Sequence, residues 1–301
     1  MISGPLARVV VLAVFVFAGG CATQKAAFVP PKKIMLIAGA QSHGPGDHEF
    51  KAGCHLLQQC LQNFPGLLVE VFTNGWPSNP QAFDGASSII IYSDGGGGHP
   101  AIKPDRLRLL GEKMKQGVGF GCVHYAVEVP KDKGGPEFLD WLGGYFETYW
   151  SVNPHWTASF TNFPVHPITR GVKPFQINDE WYYHMRFRPG MDKVTSILSA
   201  VPADSTRGKP GANEPHGGNP HVQARKGMSE HVMWAFDRPG GGRSFGFTGG
   251  HRHTNWGDEN FRKVVLNAIV WSAGLEVPAQ GIAATVNAED LKKNLDVKKS
   301  R

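Results

Sequence analysis

Ile34-Met35-Leu36-Ile37-Ala38 is an unbroken apolar run of strand length, and Phe50, Cys54, Leu57, Leu61 and Phe64 then return at helical spacing. A strand that is apolar on both faces needs cover on both, and an amphipathic helix follows to supply it. The unit recurs. Leu67 to Phe72 and Ser88-Ile89-Ile90-Ile91-Tyr92 read as strands, Leu107, Leu110 and Met114 mark a helix, and Val118 to Val123 is a fourth strand. Continuous apolar strands alternating with helices predict an α/β domain with a doubly wound, mostly parallel sheet, starting at Lys33. From about Glu147 the rhythm changes. Trp156 to Phe160, Ile177 to Phe187, Val194 to Leu198 and His231 to Phe236 predict β-rich insertions, and Asp204 to Gly227, rich in Gly, Pro, Asn and Lys, predicts a long exposed loop. Ser244 to Thr248 forms a late strand and Asn260 to Ala273 a closing helix. The domain then spans 33–278, followed by a polar basic tail over 279–301.

A chain of 301 residues with 41% hydrophobic content can fill one large core. Arg8 is the only charge in residues 1–20, where Val9 to Ala18 is apolar and Gly19-Gly20-Cys21 follows. That pattern predicts an export signal of bacterial lipoprotein type, with Cys21 lipidated and 21–32 a tether, or else plain secretion with cleavage nearby. The run is too short for a spanning helix. The formal charge of +6 owes much to Lys292-Lys293 and Lys298-Lys299. No RNP, zinc-finger or helix-turn-helix pattern accompanies it, so nucleic acid is not expected as a partner. Cys54 and Cys60 lie on nearly opposite faces of one predicted helix and cannot bridge there, so no structural disulfide is expected.

In open parallel sheets ligands gather outside the carboxyl ends of the strands. The loops at those ends are rich in histidine. His43 and His48 follow the first strand, Asp94-Gly95-Gly96-Gly97-Gly98-His99 the third, His124-Tyr125 the fourth, and His251-Arg252-His253 a late one. With 13 histidines in the chain some coincidence is expected, but one edge collecting so many points to convergent imidazoles, as a divalent metal site or as metal-free acids and bases. An HxH pair on an extended segment turns both rings to one side, which suits His251 and His253 as ligands of one metal. The glycine run 95–98 lacks the G-x-G-x-x-G spacing and the helix opening from it, and no Walker A is present, so no nucleotide cofactor is expected.

Gly121-Cys122-Val123-His124-Tyr125-Ala126 falls where a strand turns sharply into a helix, as at a nucleophile elbow. Cys122 is a nucleophile if it forms the apex, and a buried thiol if the apex is His124 or Tyr125. Glu128 would orient His124 if one helical turn forms before Pro130. Asp179-Glu180 is a carboxylate pair whose members face opposite ways on a strand, so at most one joins the site, and Glu180 is taken as that one. Trp150, Trp156 and Trp256, beside His155 and Asn255, are core rings or the flat walls of a sugar cleft.

These motifs, with Ser151-Val152-Asn153-Pro154-His155-Trp156, His166-Pro167-Ile168, Asp179-Glu180-Trp181-Tyr182 and the closing GGHxHxNWGDxxFR pattern, resemble the trehalose-utilisation (ThuA-like) family from about Lys33 to Pro278. The resemblance implies a fold similar to class I glutamine amidotransferases and a link to catabolism of trehalose-like disaccharides through 3-keto sugars. The wider superfamily uses a Cys-His-Glu triad. By the resemblance His251 takes the place of the triad histidine, but no Pro-Glu follows it and the elbow offers His124, so glutaminase activity is not carried over. The leading expectation is an exported, lipid-anchored enzyme acting on a small carbohydrate, with His124, Glu128 and His251 catalytic. His43, His48, Asp94, Gly95, His99, Tyr125, Trp150, His155, Trp156, Glu180, Asn255 and Trp256 would contact substrate, and His251 and His253 a metal. The alternative is a sugar-binding lipoprotein without chemistry.

Overall fold

Seven strands form one sheet at the centre of the domain. The computed structural model describes residues 1, 2, 4, 30–211 and 214–299. Most of the expected signal segment, Cys21 and most of the tether therefore lie outside the described residues. In chain order the elements are β1 (Lys32–Ala38), α1 (Phe50–Leu61), β2 (Leu67–Phe72), β3 (Ala86–Tyr92), α2 (Pro104–Lys115), β4 (Gly119–Val123), α3 (Gly135–Trp141) and β5 (Gly144–Tyr145). There follow β6 (His155–Phe160), β7 (Phe175–Glu180), β8 (Arg186–Phe187), β9 (Val194–Ala200), α4 (Pro220–Gln223), β10 (Glu230–Asp237), β11 (Arg243–Phe247) and α5 (Glu259–Ser272).

Strands β2, β1, β3, β4 and β11 run parallel, while β10 and β9 extend the sheet by antiparallel pairing. Alternate residues of β1 serve opposite faces, as strand geometry requires. Ile34, Leu36 and Ala38 pack with Phe50 and Leu57 of α1 and Val265 and Ile269 of α5, whereas Met35 and Ile37 pack with Leu110 and Met114 of α2 and Phe138 of α3. Helices on both faces confirm the doubly wound reading. Burying Phe50, Leu57 and Leu61 contributes roughly 1.5–3 kcal/mol per side chain. Asp258 caps α5, its Oδ1 accepting from the backbone N–H of Asn260 and Phe261 at 2.9 Å.

The order β2-β1-β3 places a topological switch between β1 and β3, and the carboxyl ends of β1, β3, β4 and β11 share one edge. Three expectations need correction. Ile177 to Phe187 is not one strand: β7 ends at Glu180 and β8 begins at Arg186, because Trp181, Tyr182 and Tyr183 turn into the core, each 2% exposed or less. The stretch 204–227 is not free of the body, since Arg207 is fully buried and paired with Asp204 and Glu230. Nor is 279–299 a solvated tail. Ile282 is buried, and Lys298, 1% exposed, reaches Glu49 at 3.2 Å. Cys54, Cys60 and Cys122 are free thiols. Among the described residues no helix is long and apolar enough to cross a membrane.

Candidate functional site

Four side chains from four separate segments meet at the carboxyl edge of the sheet: His48 from the loop after β1, His124 from the elbow after β4, Glu180 from the end of β7, and His251 from the loop after β11. His48 Nε2 lies 3.0 Å from His124 Nε2 and 3.0 Å from His251 Nδ1. Glu180 Oε2 lies 2.9 Å from His251 Nδ1 and 3.5 Å from His124 Nε2. The ligand-type atoms of the four all fall within 4.8 Å of one another.

The outer nitrogens decide what the inner ones present. His48 Nδ1 donates to Asp94 Oδ1 at 2.9 Å and His124 Nδ1 donates to the Thr248 carbonyl at 2.9 Å, while His251 Nε2 faces Asp47 Oδ1 at 3.5 Å. The partners of His48 and His124 are oxygens that only accept, so the hydrogens of these two neutral rings sit on the outer nitrogens, whereas His251 has acceptor-only oxygens beside both nitrogens and donates to the nearer one, Glu180, when no cation is bound. The lone pairs of His48 Nε2 and His124 Nε2 and the Glu180 oxygen then crowd one point, where they repel unless a proton on His251 Nδ1 or a cation lies between them. Donors at about 2.0–2.1 Å from a shared metal stand roughly 3.0–3.4 Å apart, and the contacts given above, from 2.9 to 3.5 Å, lie near that spacing. The set is compatible with a divalent transition metal, and the outer acceptors are the oxygen partners that metal-bound imidazoles usually have.

Burial pushes His48 down to about 3, against the hydrogen bond it donates to Asp94, and so keeps it neutral. Burial pushes the Glu180 carboxyl up, but the hydrogen bonds and charges of His124 and His251 outweigh it and hold the group well below the usual range. His251 is lowered by burial yet raised overall by Glu180, Asp47 and Asp179. A metal-free cluster therefore favours a proton shared between His251 and Glu180, in the place a cation would take.

The backbone is bent to serve these rings. His43, His48 and His124 have φ of 57°, 49° and 56°, a left-handed conformation uncommon for side chains other than glycine and its polar mimics. Asp179, fully buried, accepts the backbone N–H groups of Gly250 at 2.7 Å, His251 at 3.1 Å and Arg252 at 3.3 Å. Both members of the carboxylate pair thus serve the site, Glu180 with its side chain in the cluster and Asp179 by holding the His251 loop. Gly250 has φ +108°, which lets the chain turn between β11 and His251.

A family model described as ThuA, trehalose utilisation, matches residues 42–272. The chain belongs to the ThuA family. In the solved structures, a ThuA-like protein of Parabacteroides merdae superposes with a TM-score of 0.57 at 17% identity, covering 87% of this chain and 99% of that one. A ThuA-like protein of Bacteroides uniformis gives 0.54 at 15% identity, over 82% and 93%. A glutamine amidotransferase of Methylobacillus flagellatus gives 0.38 at 13% identity, over 90% and 88%. No curated protein matches the chain.

The ThuA motifs divide between site and scaffold. His43, 42% exposed, stacks on His48 with ring centroids 3.6 Å apart, and exposed His155 meets His251 edge-on at 4.8 Å. Asn153 donates to Glu180 Oε1 at 3.2 Å and the Tyr182 hydroxyl to Oε2 at 3.3 Å. Half-buried Tyr125 stands 6.1 Å from the His48 ring. Gly95 serves packing: a Cβ there would come within 2.1 Å of the Tyr125 carbonyl. The elbow apex is His124, and Cys122 is a strand residue whose thiol burial pushes well above its ordinary value.

Several expected site residues are placed elsewhere. His99 is buried and spends both nitrogens on backbone, Nε2 donating to Ala126 and Nδ1 accepting from Ala101, each at 3.1 Å. His253 does not join His251, because Arg252 leads straight into a 3-10 turn over His253–Gly257 and the extended segment that would align the rings is absent. Glu128 does not orient His124. The elbow is also a 3-10 turn, over His124–Val127, which leaves Glu128 extended and 3.6 Å from His216. Trp156 is core, its Nε1 donating to the Trp181 carbonyl, and Trp256 is fully buried against Tyr92 and Phe261. Trp150 is taken up by Arg186, 3.5 Å above its ring, and by His184 and His221. Asn255 ties its amide to the Asn178 carbonyl.

Sequence reasoning missed Asp47, Tyr182 and Thr248, and set Asp179 aside in favour of Glu180. Asp179 was within reach, since a buried acidic residue next to a site carboxylate needs donors, and a glycine-rich loop supplies them as free N–H groups.

Proposed function

We propose that this chain is a metal-dependent carbohydrate-processing enzyme acting on a disaccharide or its keto derivative. One observation carries the reading: one ring nitrogen each of His48, His124 and His251 and a Glu180 oxygen meet at a common point, while Asp94 and the Thr248 carbonyl hold the outer nitrogens of His48 and His124. A divalent metal bound there would act as a Lewis acid toward a substrate carbonyl or hydroxyl oxygen. His124, expected from sequence to be catalytic, is better suited to ligation, because Nδ1 is held by the Thr248 carbonyl and Nε2 points into the cluster. Asp94 and His43 stand at the mouth, where Asp94 Oδ1 also accepts from Ser42 and Ser42 Oγ lies 3.0 Å from His43 Nδ1. Burial lowers His43 despite Asp94, leaving a neutral imidazole able to accept a proton from a ligand hydroxyl. The family description, trehalose utilisation, supports the substrate class.

The test is elemental mass spectrometry of the purified chain and of the His48→Ala and His251→Ala variants, followed by turnover of trehalose and 3-ketotrehalose. Near-stoichiometric metal in the wild type, lost in both variants, with product from one sugar is the expected result. Metal-free protein after metal supplementation overturns the metal reading, and saturable sugar binding with unchanged ligand recovered turns the protein into a binding protein. Export and anchoring belong to the same proposal, supported by the apolar run Val9 to Ala18 before Gly19-Gly20-Cys21. A membrane-extracted chain whose Cys21 carries no lipid would remove the anchor.

A further inference from the structure

Glu128 is an expensive residue to bury without full pairing. Its side chain is 5% exposed, Oε2 is buried with no hydrogen-bond partner, and the nearest opposite group to Oε1 is His216 Nε2 at 3.6 Å. Taking a carboxylate out of water costs several kcal/mol unless charges or donors compensate, and such groups gather where chemistry needs them.

His216 comes from the 204–227 segment, and its place there is built. Fully buried Arg207 anchors the segment through Asp204 and Glu230, the Gly218 N–H donates to the Arg207 carbonyl at 2.7 Å, and the Tyr149 N–H donates to the Pro215 carbonyl at 2.6 Å. These contacts bring an imidazole that is 36% exposed over a carboxylate belonging to the elbow of the metal-type cluster. The two groups stand beside that cluster. Phe146 packs against both the His216 ring at 5.4 Å and the Tyr182 ring at 5.3 Å, and Tyr182 packs on His124 at 4.9 Å.

We propose that His216, backed by Glu128, is a proton donor to a ligand oxygen beside the His48–His124–Glu180–His251 cluster. This rests on the carbohydrate-enzyme reading above. The buried carboxylate faces Nε2, so Nδ1 is the nitrogen left for the ligand. In the donating step the Nδ1–H bond breaks as the glycosidic C–O bond breaks, its electron pair passing to the departing oxygen, which takes the proton as its new O–H; water adds to the carbon and releases its own proton to solvent, while Nε2–H stays toward Glu128. The neutral ring regains its proton from solvent through its exposed face. A buried carboxylate behind a half-exposed imidazole is the arrangement that orients such a ring and stabilises its charged form. The Glu128 contact raises His216 above its ordinary value, against burial, with Glu180 adding in the same direction.

The experiment compares wild type, His216→Gln and Glu128→Gln as full chains. It reads metal content, the NMR titration of the His216 ring, and the pH dependence of kcat on trehalose and 3-ketotrehalose. Expected are unchanged metal in all three, a His216 titration that moves to lower pH in Glu128→Gln, and a kcat about 100-fold lower in His216→Gln with loss of the alkaline limb. A smaller loss with that limb moved to lower pH is expected in Glu128→Gln. Wild-type turnover with His216→Gln equally active and its pH profile unchanged overturns the assignment alone. A wild type that turns over neither sugar ends the enzyme reading and this one with it. Loss of metal in His216→Gln would make the residue structural and also refute it.

Discussion

Replacing Asp179 by Asn removes one charge and exchanges one oxygen for a donor, at a fully buried position that holds the His251 loop by three backbone N–H groups. Oδ1 accepts from His251, Arg252 and the Glu180 N–H at 2.8 Å, so the amide places its oxygen there and its NH2 against the Gly250 N–H. Leaving that N–H without an acceptor costs about 1–3 kcal/mol, and weakening the other bonds from charged to neutral acceptor costs roughly 1 kcal/mol each. Removing a buried charge offsets part of this, leaving a net loss of about 2–3 kcal/mol. Urea unfolding at neutral pH reads the stability, and competition with a chelator reads the metal affinity, expected to weaken about 10- to 100-fold as His251 loses its aim. A variant within 0.5 kcal/mol of wild type, with metal affinity unchanged, would refute the argument that Asp179 positions the ligand loop.

Three further outcomes are expected. His99 stays neutral down to about 4 when folded but titrates near 6.5 when unfolded, so below pH 6.5 the unfolded chain binds the extra proton. The stability it preserves is therefore present above about pH 6.5 and falls by roughly 3 kcal/mol as pH drops toward 4. Acid unfolding of His99→Gln should be less steep over that window, and an identical acid limb would count against it. Lys298→Met should cost about 3 kcal/mol by leaving Glu49 buried without its cation, with part recovered on adding Glu49→Gln, and a melting curve equal to wild type would show that the ion pair contributes nothing. His253→Ala should keep its full metal content, in contrast to His251→Ala, and loss of metal there would return His253 to the cluster.

Residue order alone determined that apolar strands such as Ile34 to Ala38 are covered on both faces, and that histidine-bearing loops leave one edge of a parallel sheet, because burial and the period of strand and helix are local properties written in the pattern. It also marked Glu180 as a site candidate beside His124 and His251. Which histidines share a point was a tertiary decision. His251 and His253 are two residues apart and part company because a 3-10 turn begins at His253, while His48 and His251, 203 positions apart, come within 3.0 Å. The same turn geometry took Glu128 away from His124, and a buried arginine carried His216 to it from a stretch that reads as exposed loop. Side-chain direction depends on local φ and ψ and on the packing of segments far apart in the chain, so spacing could name the groups of this site, and only the folded chain could pair them.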